Sequence, residues 1–234
     1  MELFFHPDLT ENDTEATLID EEAKHIVRSL RKIEGDTLQI CNGKGKLFTT
    51  KIIEINAKRC RVQVIGYEHT KPIAPHVHLA VSPTKNDARI EWFLEKAAEL
   101  GINEISFLVC SRTEKPFIKI ARYQNIVASA MKQSGQTYLT QINEPQKFSA
   151  FVARNFDAQK RIAHCLPSQK PALLQNTDAT KNSLLLIGPE GDFTAAEVGL
   201  ATECGYLPVG LGGTRLRTET AALVGCTLLR LGVL

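Results

Sequence analysis

Two stretches decide how this chain is read: Ile187-Gly188-Pro189-Glu190-Gly191-Asp192-Phe193, and further on Leu211-Gly212-Gly213-Thr214-Arg215-Leu216-Arg217-Thr218-Glu219-Thr220-Ala221. The first follows the apolar run Leu184-Leu185-Leu186-Ile187, and the second follows Tyr206-Leu207-Pro208-Val209-Gly210. Both read as loops that leave buried strands and enter helices. Open α/β sheets bind ligands beyond the carboxyl ends of their strands. Two such loops, rich in Gly and carrying Glu190, Arg215 and Arg217, can build a small-molecule pocket with an anionic substrate beside it.

The composition of the loops narrows the ligand. Gly188 and Gly191 allow close approach of backbone to a ligand. Pro189 fixes one dihedral and removes a donor. The first loop therefore offers carbonyls, few N–H groups and one carboxylate, which suits a neutral or cationic ligand better than a triphosphate. No Gly-Lys-Ser/Thr follows, and no strand is followed by Gly-x-Gly-x-x-Gly, which argues against a P-loop and a dinucleotide site. The plain alternative is a tight strand–helix turn. In the second loop Thr218 reads as a helix N-cap, with free N–H groups behind it. Arg215 and Arg217 can clamp a phosphate, and Glu219 can offset their charge. The alternative here is an Arg–Glu network that only joins two loops. On the segment Arg89–Leu100, Lys96, Glu99 and Trp92 read as structural, Trp92 as a packing residue.

Around these loops the chain alternates. From residue 76 the pattern predicts strands over His76–Val81, Glu104–Cys110, Arg161–Leu166, Ser183–Ile187 and Tyr206–Leu211. Helices are expected over Asn86–Leu100, Lys119–Ser134, Lys147–Asn155, Thr194–Cys204 and Glu219–Leu231, with Gly101 and Gly135 closing two of them. Thr194-Ala195-Ala196-Glu197 spells a capping box. Such alternation argues an α/β domain with a mostly parallel sheet. The first seventy residues read instead as short strands (Leu3–His6, Ala16–Ile19, Thr37–Cys41, Lys46–Ile55, Cys60–Tyr67). They include a hairpin signal at Asn42-Gly43-Lys44-Gly45 and one helix over Glu21–Arg31 with Asp20 as N-cap. A compact barrel is expected there. His69-Thr70-Lys71-Pro72-Ile73-Ala74-Pro75 suits a stiff linker, so two domains are expected, residues 1–70 and 71–234.

The chain has 234 residues and a net charge of only +2, unevenly spread. Residues 1–22 carry acids and no Lys or Arg, whereas residues 24–61 are strongly basic. A local excess can bind phosphate even near overall neutrality, although such runs are commonly solvated faces. The six cysteines and six histidines show no metal-ligand spacing, so no metal is expected and the cysteines read as buried free thiols. No apolar run reaches membrane-spanning length, and no secretory n-region opens the chain. A cytoplasmic protein without membrane contact is the expectation.

Ile-Gly-Pro-Glu-Gly followed by Leu-Gly and Arg215-Leu216-Arg217-Thr218-Glu219-Thr220-Ala221 resembles the ribosomal RNA small subunit methyltransferase E family. Glu95-Lys96-Ala97-Ala98-Glu99-Leu100-Gly101, Arg112-Thr113, Lys132-Gln133-Ser134-Gly135 and His25-Ile26-Val27-Arg28-Ser29-Leu30-Arg31 extend the resemblance over nearly the whole chain. It implies a SPOUT α/β trefoil knot preceded by a PUA-like barrel that helps to bind RNA. It implies a homodimer, S-adenosylmethionine as cofactor, and N3 methylation of one uridine in the 16S rRNA of the small subunit. Another RNA base, or a non-catalytic assembly factor, are the alternatives.

Under the resemblance the cofactor residues are Ile187, Gly188, Pro189, Glu190, Gly191, Leu211, Gly212, Gly213, Leu216, Thr218 and Thr220. Arg217 is the candidate for the RNA phosphate or the target base, where it can stabilise the uracil anion, with Glu190 or Glu219 as base. Lys24, Arg28, Arg31, Arg112 and Arg215 are the candidates for RNA contact. The chain departs from the family pattern at Asp192, usually Gly, and Gln136, usually Arg. Asp192 is expected to serve as an N-cap for the helix from Thr194. Gln136 removes a charge from a possible RNA or dimer contact.

Overall fold

The computed structural model describes residues 2–231. It divides into two compact units: residues up to Pro72 together with Met131–Leu139, and Ile73–Ala130 together with residues from Thr140 on.

The first unit holds β1 (Leu3–Phe5), β2 (Glu15–Ile19), α1 (Asp20–Lys24), β3 (Thr37–Cys41), β4 (Lys46–Ile55) and β5 (Arg59–His69). The strands form one sheet in the order β1-β3-β4-β5-β2, whose end strands do not pair with each other. It is a curled half-barrel, not the closed barrel expected. Phe4, Leu18, Ile26, Ile40, Phe48 and Val62 fill its interior. The β3–β4 hairpin is closed by Asn42, whose Oδ1 accepts from the Lys44 and Lys46 amides at 2.9 and 3.2 Å. Gly43 and Gly45 take φ of +71° and +89° there, values that favour glycine. Leu139 donates its amide to the Gly43 carbonyl, and Met131 packs on Leu3 and Cys41. That is why a segment distant in sequence belongs to this unit.

The helix expected over Glu21–Arg31 forms as one α turn, continued by a π turn over His25–Ser29. Asp20 is not its N-cap. Its amide is held by the Lys58 carbonyl at 3.1 Å and its φ is +51°, so the chain turns into the helix at Asp20 and the cap position falls on Ile19. Arg31, at φ +53°, ends the helix, with the Lys32 amide donating back to the Ile26 carbonyl. A left-handed residue is the usual way to satisfy the last carbonyls of a helix.

The second unit holds β6 (Val77–Val81), α2 (Asp87–Glu99), β7 (Glu104–Val109), α3 (Ile120–Gln133, its last residues counted with the first unit), β8 (Gln141–Ile142), β9 (Gln146–Lys147), α4 (Phe148–Val152), β10 (Gln159–Ala163), β11 (Ser183–Ile187), α5 (Ala195–Glu203), β12 (Leu207–Val209) and α6 (Thr218–Leu231). The strand order is β12-β10-β11-β6-β7-β8, with β9 also on β7, and every pairing is parallel. β6 and β11 are buried throughout, as continuous apolar runs in a covered parallel sheet must be. Arg230 of α6 anchors that helix by donating to the Pro75 and Gly101 carbonyls and to Asn103 Oδ1.

Three expectations are corrected. β10 ends at Ala163 rather than Leu166, so Cys165 lies in a loop and is exposed, while Cys41, Cys60, Cys110 and Cys226 are buried. Trp92 is not a packing residue and stays 44% exposed. The buried stripe of α2 is Ile90, Phe93, Leu94, Ala97 and Ala98, and position 92 falls on the opposite side at 3.6 residues per turn. Asp192 does not cap α5. Thr194 does, through the capping box with Glu197. Among the described residues no helix is long and apolar enough to cross a membrane.

Glu197 also accepts from the Ser111 amide at 2.7 Å, besides the Thr194 amide at 2.8 Å. Burial pushes its carboxyl up, but the Thr194 and Ser111 donors outweigh this and hold it below its ordinary value. Its contribution to stability is therefore complete above the usual carboxylate range and is lost as pH falls through it. Urea midpoints measured from neutral pH down to about pH 3 should fall more steeply for the wild type than for Glu197→Gln. Parallel curves would contradict this role.

Candidate cofactor site

In a parallel sheet every strand exits at the same edge. β10, β11 and β12 are neighbours, so the loops after Ala163, Ile187 and Val209 gather there. They enclose a cavity of about 530 Å³, within the range of small-molecule sites. Ala163, Ile187, Val209, Leu211, Leu216 and Ala221 give it an apolar lining, and His164, Lys170, Glu190, Asp192, Arg215 and Arg217 give it a polar one.

Hydrogen bonds hold these loops in register. The Thr218 hydroxyl, buried at the start of α6, donates to the Gly188 carbonyl at 3.1 Å. This replaces the expected N-cap role: Thr218 is the first helical residue, and the Arg217 carbonyl accepts from the Ala221 amide. Asp192, at φ +63°, folds its side chain back so that one oxygen accepts from the Phe193 amide and the other from the Cys165 amide, each at 2.8 Å. That residue thus ties the loop after β11 to the loop after β10. The surroundings of Gly188 are tight, since a Cβ there would lie 3.1 Å from the Phe193 amide nitrogen and ring.

Of the expected cofactor residues, Ile187, Gly188, Pro189, Glu190, Leu211, Gly212, Gly213, Leu216 and Thr218 line the cavity. Gly191 and Thr220 do not. The Gly191 carbonyl accepts from Arg112 Nη1 at 2.6 Å, and Thr220 is exposed on α6, where Ala221 takes the lining position. Arg217 and Glu190 face the same space. Glu190 Oε1 accepts from the Lys85 amide at 2.9 Å, and its buried Oε2 has no hydrogen-bond partner. Glu219 is outside the lining; it is buried, with Arg89 Nε at 3.7 Å.

The basic candidates have different surroundings. Arg215 lines the cavity and is exposed. Arg112 is exposed but engaged with Gly191. Lys24 pairs with Glu21 at 2.6 Å, and Arg28 and Arg31 are exposed on the first unit. Gln136, at the helix end where the family usually has Arg, hydrogen-bonds Ser134 Oγ.

Sequence reasoning missed His164 and Lys170. Both lie beyond β10, and reading that strand to Leu166 hid them. Had its end been placed at Ala163, the rule that ligands sit past carboxyl strand ends would have found them. His164 is buried, its Nε2 has no partner, and burial together with the Lys170 ammonium holds its imidazole below the ordinary value. Buried polar atoms in proteins are normally satisfied. A cavity with an unpartnered imidazole nitrogen, an unpartnered carboxylate oxygen and an apolar lining fits a ligand that is part heterocycle and part polar. S-adenosylmethionine has that make-up.

Comparison with known proteins agrees with this geometry. The RNA methyltransferase domain family matches residues 69–230, and the RNA methyltransferase PUA domain family matches residues 18–65. A ribosomal RNA small subunit methyltransferase E from Mesomycoplasma hyopneumoniae is 30% identical over 194 residues, spanning 79% of this chain and 81% of its own. A probable rRNA methyltransferase from Porphyromonas gingivalis is similar in structure, with 36% identity, a TM-score of 0.92 and 99% of each chain covered. A ribosomal RNA small subunit methyltransferase E from Neisseria gonorrhoeae, bound to S-adenosyl methionine, gives 25% identity and a TM-score of 0.86 over 99% of this chain and 97% of its own. A half-barrel of PUA type, an all-parallel sheet and a cavity walled by the loops at its carboxyl edge thus come together in one sequence, and the chain belongs to the ribosomal RNA small subunit methyltransferase E family.

Proposed function

We propose that the chain is an S-adenosylmethionine-dependent methyltransferase that methylates N3 of a uridine in the 16S rRNA of the small ribosomal subunit. The observation that carries the reading is the cavity at the carboxyl edge of β10, β11 and β12, with Arg217 and Glu190 both on its wall. The apolar lining receives the adenine, and the backbone of Gly188 to Glu190 and of Leu211 to Gly213 supplies the polar contacts. The cofactor, when bound, supplies an electrophilic methyl group on sulfur.

The difficulty of the reaction lies in the acceptor. Uridine N3 is protonated at neutral pH and is a poor nucleophile, so the site must remove a proton and steady the resulting anion. Both glutamates keep a buried Oε2 without a partner, but Glu190 is better placed to take that proton because it lines the cavity, which Glu219 does not, and its Oε1 is fixed by the Lys85 amide. Glu219 instead faces Arg89. Arg217 stabilises the uracil anion. As the N–C bond forms and the S–C bond breaks, the N3 proton passes to Glu190 and the demethylated cofactor leaves. Positioning of N3 contributes beside this chemistry.

Arg215 at the cavity, and Lys24, Arg28 and Arg31 on the first unit, are the proposed RNA contacts. We further propose a homodimer, supported by the half-buried apolar face of α6 at Leu223, Val224 and Leu228. A cytoplasmic location follows from a ribosomal substrate.

Purified protein should transfer labelled methyl groups from S-adenosylmethionine to small-subunit rRNA that lacks the modification. Mass analysis should place the label on uridine N3, and the active species should sediment at twice the 25.9 kDa of one chain. Label on another base, or none despite cofactor binding, would overturn the substrate assignment. Arg217→Ala should lower turnover by about 100-fold or more, the scale of a lost charge-stabilising donor, while cofactor affinity changes little. Unchanged turnover would remove Arg217 from the mechanism.

A further inference from the structure

We infer that His164 and Lys170 form a subsite for the carboxylate of the cofactor's aminoacyl tail, with the His164 Nε2–H donating to it. The inference rests on the reading of the cavity as an S-adenosylmethionine site, and it assigns roles to residues outside the two glycine-rich loops.

The surroundings of Nδ1 favour Nε2 as the donor. Lys170 Nζ lies 2.6 Å from the Leu166 carbonyl and 3.5 Å from His164 Nδ1. An ammonium can only donate, so its position beside Nδ1 favours the tautomer with the imidazole proton on Nε2. That Nε2 is buried, has no partner within the protein, and belongs to a side chain only 9% exposed on the cavity wall. A buried donor of this kind is costly unless a ligand supplies an acceptor. Burial and the Lys170 charge both disfavour a second proton on the ring, so the imidazole acts as a neutral donor with a cation behind it.

That pair selects the acceptor. A neutral N–H backed by an ammonium favours an anion over a ribose hydroxyl or a ring nitrogen. The heterocycle has its own apolar surface at Ile187, Val209, Leu211 and Leu216. Asp192 also lines the cavity, and its carboxylate, fixed by the Cys165 and Phe193 amides, complements the ammonium of the same tail. The three side chains together match an amino-acid zwitterion.

Calorimetry with two probes tests this. S-adenosylhomocysteine carries the tail, and 5′-methylthioadenosine has the nucleoside without it. His164→Ala should weaken S-adenosylhomocysteine by about 10- to 100-fold, the size of a hydrogen bond to a charged group, and leave methylthioadenosine within about threefold. His164→Gln, which keeps a side-chain N–H, should recover much of the loss, which a mere packing role would not predict. Unchanged affinity for S-adenosylhomocysteine, or equal weakening of both probes, would overturn the subsite while leaving the cofactor reading intact. Failure of the wild type to bind either probe would overturn both.

Discussion

The site depends on one buried hydrogen bond, from the Thr218 hydroxyl to the Gly188 carbonyl. It joins the first residue of α6 to the loop after β11, so the two glycine-rich stretches become walls of one cavity. The parallel sheet makes this possible. β10, β11 and β12 lie side by side and exit at one edge, and a carbonyl left bare at that edge would be costly to bury. Asp192 performs the same service for the third loop through the Cys165 amide. Glycine at 188 suits this packing, because Phe193, fully buried, lies close to where a side chain would begin.

Charged groups around the cavity fall into two sets. Glu197, Arg112 and Glu219 are engaged with backbone amides, a carbonyl or an arginine and hold loops in place, and Asp192 does the same through the Cys165 and Phe193 amides while lying on the cavity wall itself. Glu190, His164, Arg215 and Arg217 line the open space, and the first two each keep a buried polar atom unpartnered. Natural proteins rarely leave such atoms without purpose.

Much of this was legible from residues. Leu184 to Ile187 reads as a covered strand because a short apolar run that stops at Gly188-Pro189 suits a strand buried on both faces, and Thr194 to Glu197 spells its own cap. Gly188 to Glu190 and Leu211 to Gly213 line the cavity for a local reason, since they follow the ends of β11 and β12, whereas Leu216 and Thr218 reach it only because the start of α6 packs back on the loop after β11. The misses came from tertiary constraints. The Lys58 carbonyl captures the Asp20 amide and moves a helix cap by one residue. The carbonyl end of β10 falls three residues short of where its apolar run suggests, which hid His164 and Lys170. Met131–Leu139 joins the first unit through contacts with residues near the N-terminus, which no local pattern announces.

The most direct test of the account is the affinity of S-adenosylhomocysteine for the wild type and for Thr218→Val, a near-isosteric change that removes only the donor to Gly188. The account predicts binding by the wild type and about tenfold weaker binding by the variant, the magnitude of one buried hydrogen bond. Equal affinity in the two proteins would contradict the claim that this bond makes two loops into one cofactor site.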